Sequence, residues 1–150
     1  MNIKPLLLGL CTAALALTTL TACAQSNPTL DANAALDALL HDVQYDGALL
    51  DISDNAQYYF SGLPDGTAVT MYTAQGTSSD QVILFEAKQQ QDVPVIEELI
   101  QTHLNSLSQQ AANYMPEEVS KIKDALIYTN DVYVLLCITE DTATAKELLP

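Results

Sequence analysis

The stretch QVILFEAKQQQDVPVIEELIQTHLNSLSQQAANY, Gln81 to Tyr114, changes period half-way along, and that change decides the fold. Its opening, QVILFEA, is almost continuously apolar, which suits a strand in the middle of a sheet. From Asp92 onward Ile96, Leu99, Ile100, His103, Leu107, Ala111 and Tyr114 recur every three or four residues, predicting one long amphipathic helix from Asp92 to Tyr114. Asp92 stands where a cap belongs, and Glu97 and Glu98 lie near the positive end of the helix dipole.

Upstream of that stretch, TAVTMYTA alternates Val69, Met71 and Thr73 against Ala68, Thr70 and Tyr72 and predicts a second strand. The turn Pro64-Asp65-Gly66 precedes it, and polar QGTSSD joins it to the central strand. Earlier still, ALDALLHDV places Leu36, Leu39, Leu40 and Val43 on one helical face, with Asp31 or Asn33 as N-cap and Gly47 ending the segment. Ser53 or Asp54 caps a short helix through NAQYYF, which Gly62 and Pro64 terminate.

Downstream, Met115-Pro116-Glu117-Glu118 restarts the chain as a second helix with Pro at its first position. ALIYT and VYVLLCI follow as a hairpin around Asn130-Asp131, and Asp141 caps a last helix through Leu149. From Ala68 the order is strand, strand, helix, helix, strand, strand, helix. It predicts an α+β fold, an antiparallel sheet of about four strands covered on one face by helices, with a helical N-terminal segment.

The first residues read as a leader. Met1 to Lys4 carries one positive side chain, and PLLLGLCTAALALTTLT, Pro5 to Thr21, is an apolar run that stops short of the about 20 residues a membrane span needs. It ends Leu20-Thr21-Ala22-Cys23, which is similar to the lipobox of bacterial lipoproteins. Ala22 is small enough for the protease that cuts there, and a thiolate is the best side-chain nucleophile for taking up a diacylglyceryl group. Residues 1–22 are therefore expected to be a signal peptide cleaved between Ala22 and Cys23, with Cys23 the lipidated first residue of the mature chain. Cys11 follows Leu10, lacks the small residue before it, and leaves with the leader.

Acyl chains such as palmitate, at about 0.8 kcal/mol per buried CH₂, hold a protein stably on a membrane when two or more are present. Residues 23–33 then form a lipidated tether reaching at most about 35 Å, and residues 34–150 a single globular domain. The expected location is the cell membrane, lipid-anchored, facing the extracytoplasmic side.

The charge balance narrows the partners. Five Lys+Arg, none of them Arg, stand against 19 Asp+Glu, a net charge of −14. Without Arg to grip phosphates, nucleic acid is not expected as a partner. Such a surface is repelled by anionic lipid, so the lipid on Cys23 must do the anchoring.

The search for chemistry yields little. Nucleophilic catalysis needs a histidine base, and the mature chain has only His41, near a helix end, and His103, on the apolar stripe of the long helix. No G-x-S-x-G elbow is present. Cys137 sits within YVLLCI, out of phase with Val134, Leu136 and Ile138, as a small core residue without a disulfide partner. The acidic run DVQYDGALLDISDN, Asp42 to Asn55, resembles an EF-hand loop at Asp42, Gln44, Asp46 and Gly47, but position twelve is Ser53, so the bidentate glutamate is missing. No zinc spacing exists, and neither metal nor cofactor is expected. The acid pairs Glu97-Glu98 and Glu117-Glu118 sit at helix starts, where they complement the dipole. The suggestive set is tyrosine, seven in a chain without Trp, and Tyr58, Tyr59 and Tyr72 are the candidates for a binding face for peptide or glycan.

The residues from Ser78 to Leu149 resemble the bacterial lipoproteins of domain of unknown function 4358. The resemblance rests on Phe85-Glu86-Ala87-Lys88 at a strand end, the step Tyr114-Met115-Pro116-Glu117-Glu118, the pair Tyr133-Val134 in the hairpin, and Asp141 with Ala145 and Leu148. It implies the address and the fold and no activity.

Two functions fit these expectations. The first is a non-catalytic domain that binds an envelope protein or ligand. The second is an extracytoplasmic enzyme acting through carboxylates on wall or carbohydrate material, which requires two acids converging in a pocket.

Overall fold

A computed structural model describes residues 31–149. The expected signal peptide, Cys23 and most of the expected tether lie outside the described residues. Helix α1 spans Ala32–Asp42, so the last two residues given above to the tether are helical. Asp31 is its cap, the carboxylate accepting from the Asn33 and Ala34 amides at 3.1 and 3.2 Å.

Strand β1, Leu49–Asp51, leads into a 3₁₀ turn and helix α2, Ala56–Tyr59. Ser53 does not cap α2. Its hydroxyl donates to Asp51 Oδ1 at 2.6 Å and accepts from the Met71 amide at 3.0 Å, stitching this segment to the sheet. Strands β2, Ala68–Ala74, and β3, Gln81–Glu86, precede helix α3, Val93–Tyr114. Helix α4 is Glu118–Lys123, beginning two residues after Pro116 and not at it. Strands β4, Leu126–Asn130, and β5, Tyr133–Ile138, form the hairpin, and α5, Thr142–Leu148, closes the fold with Asp141 accepting from the Thr144 amide. The hairpin pairs Asn130 with Tyr133, so its turn is Asp131-Val132, one residue later than the dipeptide expected. Asp131 takes the positive φ of 55° that aspartate tolerates.

The class is α+β, with one open antiparallel sheet in the order β1-β2-β3-β5-β4. Two details depart from expectation. Strand β1 adds a fifth member, paired to β2 from Leu49 opposite Ala74 to Asp51 opposite Tyr72; three residues are too few to show a period. Helices also cover both faces of the sheet, not one. Met71, Ile83, Phe85, Val134, Leu136 and Ile138 pack against Ile96 and Ile100 of α3, Ile122 of α4 and Phe60. On the other face Val82, Leu84, Leu135 and Cys137 pack against Leu36 and Leu39 of α1 and Ala145 of α5.

The reason lies in β3 and β5. Consecutive side chains of a strand point to opposite faces, so an unbroken apolar run needs cover on both. Each fully buried large side chain is worth about 1.5–3 kcal/mol relative to exposure, which makes the second helical layer necessary. Among the described residues no helix is long and apolar enough to cross a membrane.

Candidate functional site

Three consecutive polar residues at the entry to β3, Ser79 and Asp80 just before it and Gln81 its first residue, are buried at 7%, 1% and 5% exposure. Buried polar groups need partners, and here they find them in two separate clusters. The division falls where the loop after β2 becomes β3 at Gln81.

Ser79 and Asp80 enter a charged cluster around Lys121. Its ammonium contacts Asp80 Oδ1 and Glu118 Oε2, each at 3.0 Å, and hydrogen-bonds Asp46 Oδ2. Glu118 and Lys121 stand three apart on α4 and so share a face. Glu118 Oε2 also accepts from the Ser79 amide at 2.7 Å and its hydroxyl at 2.6 Å, and Asp80 Oδ2 accepts from the Asp46 amide at 2.6 Å. The Lys121 contact to Asp80 Oδ1 lies off the line of a hydrogen bond, leaving that oxygen otherwise unpartnered.

Burial works to lower the Lys121 pKa, but the carboxylates of Asp46, Glu118 and Asp80 around the ammonium outweigh it and hold it above the ordinary lysine value. Glu118 is likewise pushed up by burial and pulled further down by Ser79 and Lys121, ending below the usual range. The cluster ties α4 to the loops after α1 and after β2. Its three carboxylates converge on a resident cation and so are engaged as a structural clamp.

Gln81 faces the other way, toward α3. Its Oε1 receives a hydrogen bond from His103 Nε2 at 2.8 Å, which places the imidazole proton on Nε2 and leaves Nδ1 an acceptor. Burial pushes the His103 pKa down to about 4, so the ring is neutral at physiological pH. Phe60 packs on it with centroids 4.7 Å apart, and Tyr59 approaches at 6.3 Å, edge on.

Above this histidine lies a cleft of about 370 Å³, walled by Tyr58 and Tyr59 of α2 and by Thr102, Ser106 and Gln110 of α3. Tyr58 is 78% and Tyr59 48% exposed. Those two candidates therefore meet, and His103 joins them. Tyr72 does not: Met71 points toward α3, so its neighbour points to the opposite face, where it lines a separate cleft of about 430 Å³ with Tyr45 and His41. Tyr114, expected on the buried stripe of α3, is 83% exposed.

The other candidates occupy quiet positions. His41 is exposed and its Nδ1 lies 2.8 Å from the Asp37 carbonyl, one turn back. Cys137 is buried, and burial pushes its thiol up to about 11, away from thiolate chemistry. In the acidic run Asp46 turns inward to Lys121 and Asp51 binds Ser53, so these carboxylates are spent on lysine and hydroxyl partners. Glu97 accepts from the Thr129 hydroxyl at 2.6 Å, joining α3 to β4.

No curated protein and no solved structure matches the chain. A family model does match, over residues 65–139. It starts at the turn before β2, earlier than the resemblance recognised from Ser78, and stops before the Asp141, Ala145 and Leu148 of α5. It takes in β2 to β5, both α3 and α4, and all of the Ser79-Asp80-Gln81 segment. With half its length matched, the chain belongs to the family described as Domain of unknown function (DUF4358).

Proposed function

We propose that this protein is an extracytoplasmic lipoprotein, held at the membrane by lipid on Cys23, whose domain binds an envelope partner or ligand non-catalytically through the Tyr58–Tyr59–His103 cleft. The observation that carries the binding reading is the pair of exposed rings, Tyr58 and Tyr59, standing over a buried neutral histidine. Large exposed aromatic side chains beside a concave surface are the usual anchors of recognition. The alternative, acid and base work by paired carboxylates, is disfavoured by the engagement of Asp46, Asp80 and Glu118 with Lys121. The anchor rests on the run ending Leu20-Thr21-Ala22-Cys23.

Two experiments test the two halves. A fatty-acid probe should label the wild-type chain in cells and leave Cys23→Ser unlabelled; equal labelling of both refutes the anchor. A photo-crosslinking residue at position 58 should capture a reproducible envelope component, and Tyr59→Ala should weaken that capture. Capture unaffected by Tyr59→Ala moves the binding face elsewhere.

A further inference from the structure

We infer that the ligand of the Tyr58–Tyr59 cleft is a neutral oligosaccharide, a conclusion that rests on the binding reading above and names its chemistry. The first ground is charge. The described side chains lining the cleft are tyrosine, serine, leucine, threonine, histidine and glutamine, with no formal charge once His103 is neutral, in a chain whose net charge is −14. A cationic ligand finds no carboxylate there to pair with. An anionic polymer meets no cation in the cleft and repulsion from the surface around it.

The second ground is the pattern of hydrogen-bonding groups. Thr102, Ser106 and Gln110 recur four apart on α3, so they form an exposed row with steps of about 6 Å. The Thr102 hydroxyl already donates to the Glu98 carbonyl at 3.0 Å, so toward the cleft it offers lone pairs only. Ser106 Oγ accepts from Gln110 Nε2 at 3.1 Å, which leaves the serine hydroxyl free to donate and Gln110 Oε1 free to accept. The row thus presents an acceptor at Thr102, a donor at Ser106 and both an acceptor and a remaining N–H at Gln110. A ligand that satisfies all three must carry groups able both to give and to take hydrogen bonds at short intervals, as the hydroxyls of a sugar chain do.

The third ground is the opposite wall. A sugar ring has an apolar C–H face as well as a hydroxyl rim, and the Tyr58 and Tyr59 rings, with Leu99 and Leu107 beside them, supply the apolar surface for that face. An apolar peptide segment would use the rings and leave the polar row wet. The cleft volume of about 370 Å³ falls at the small end of the range for small-molecule sites, about 300–1,000 Å³, and holds a short stretch of chain.

The test is a titration of the full-length chain in detergent micelles with cellotetraose and with the tetramer of N-acetylglucosamine. The heat of binding, read by isothermal titration calorimetry, is the signal, so that variants lacking Tyr58 and Tyr59 are read in the same way as the wild type. A saturable heat with at least one neutral sugar is expected. The double variant Tyr58→Ala, Tyr59→Ala, with unchanged far-ultraviolet circular dichroism, should bind at least about tenfold more weakly, the order of a lost aromatic stack. Ser106→Ala should weaken binding about threefold, and the matching double Phe variant should stay close to wild type.

No saturable heat, or equal binding by the double Ala variant, overturns the inference. If sugars fail while the crosslink from position 58 still captures an envelope protein through Tyr59, the ligand class falls and the binding reading stands. Release of new reducing ends from either sugar overturns the non-catalytic reading and leaves the ligand class intact.

Discussion

The two polar clusters that leave the entry to β3 are built from neighbouring residues and differ in almost every physical respect. Around Lys121 the groups are charged and paired about an ammonium side chain that is 1% exposed, with Asp46 half exposed and Asp80 Oδ1 lacking a hydrogen bond. Around His103 the groups are neutral, and the imidazole forms the floor of an open cleft. Charges that leave water need each other, so the first cluster stays closed and holds three segments together. A neutral pair such as Gln81 and His103 loses less on burial, and the surface above it remains available. The junction of loop and strand at Gln81 thus separates a closed charged clamp from an open neutral cleft.

The sharpest way to break this contrast is Lys121→Met. It keeps the volume of the stem but leaves Asp46, Asp80 and Glu118 converging without a cation. The expected cost is about 3–5 kcal/mol at neutral pH, read as a lowered urea midpoint, because an uncompensated buried charge remains. Lowering the pH should recover part of the loss as the carboxylates take up protons. A variant as stable as wild type would show that the clamp is dispensable.

The neutral cluster makes a different pH prediction. In the unfolded chain His103 takes up a proton near its ordinary value of 6.5, whereas the folded ring resists until about 4. Between those values the unfolded state binds more protons, so stability falls as the pH drops from 6.5 to 4, by about 3 kcal/mol at most. His103→Gln should flatten that slope. Glu118, held below the ordinary carboxylate value of 4.5, contributes stability that is present above that value and is lost only as the pH falls further. Lys121 acts at the other extreme, its contribution fading as the pH rises beyond 10.5. Urea titrations at stepped pH separate the three windows, and an unchanged slope in His103→Gln would assign the acid loss to other groups.

How much of this was legible in the sequence follows from the same contrast. The period change between Gln81 and Tyr114 carried the central strand and the long helix, and the order of elements from Ala68 followed from it. The second helical layer was implied by the unbroken apolar run of β3, yet periodicity alone does not say which helices return to which face. The Lys121 clamp left no trace, because Asp46, Asp80 and Glu118 are separated by 34 and 38 positions and meet only through sheet topology. Ser79 and Asp80 looked like part of a polar connection, and Gln81 like the first residue of the central strand, with nothing to show that all three are buried. Tyr58 and Tyr59 were visible as a local pair, but α2 had to be placed on α3 before His103 joined them, and strand parity removed Tyr72.

Glu118→Gln is a milder probe of the clamp than the lysine variant. The amide oxygen still accepts from Ser79, one negative charge is lost, and Lys121 keeps Asp46 and Asp80. A loss of about 1–3 kcal/mol is expected, the cost of weakening one charge-assisted contact in a buried set. A loss as large as that of Lys121→Met would mean that the Glu118 link to Ser79, and not the ammonium, holds β3 to α4.

The smallest expected effect falls on the binding side. Tyr58 is 78% exposed, so Tyr58→Ala removes little buried surface and should change the urea midpoint by no more than about 0.5 kcal/mol. That outcome would leave Tyr58 free for the contact proposed above. A drop of about 2 kcal/mol or more would place Tyr58 in the core of α2 packing. Its role would then be structural, and the distinction between a closed charged clamp and an open neutral cleft would lose its binding half.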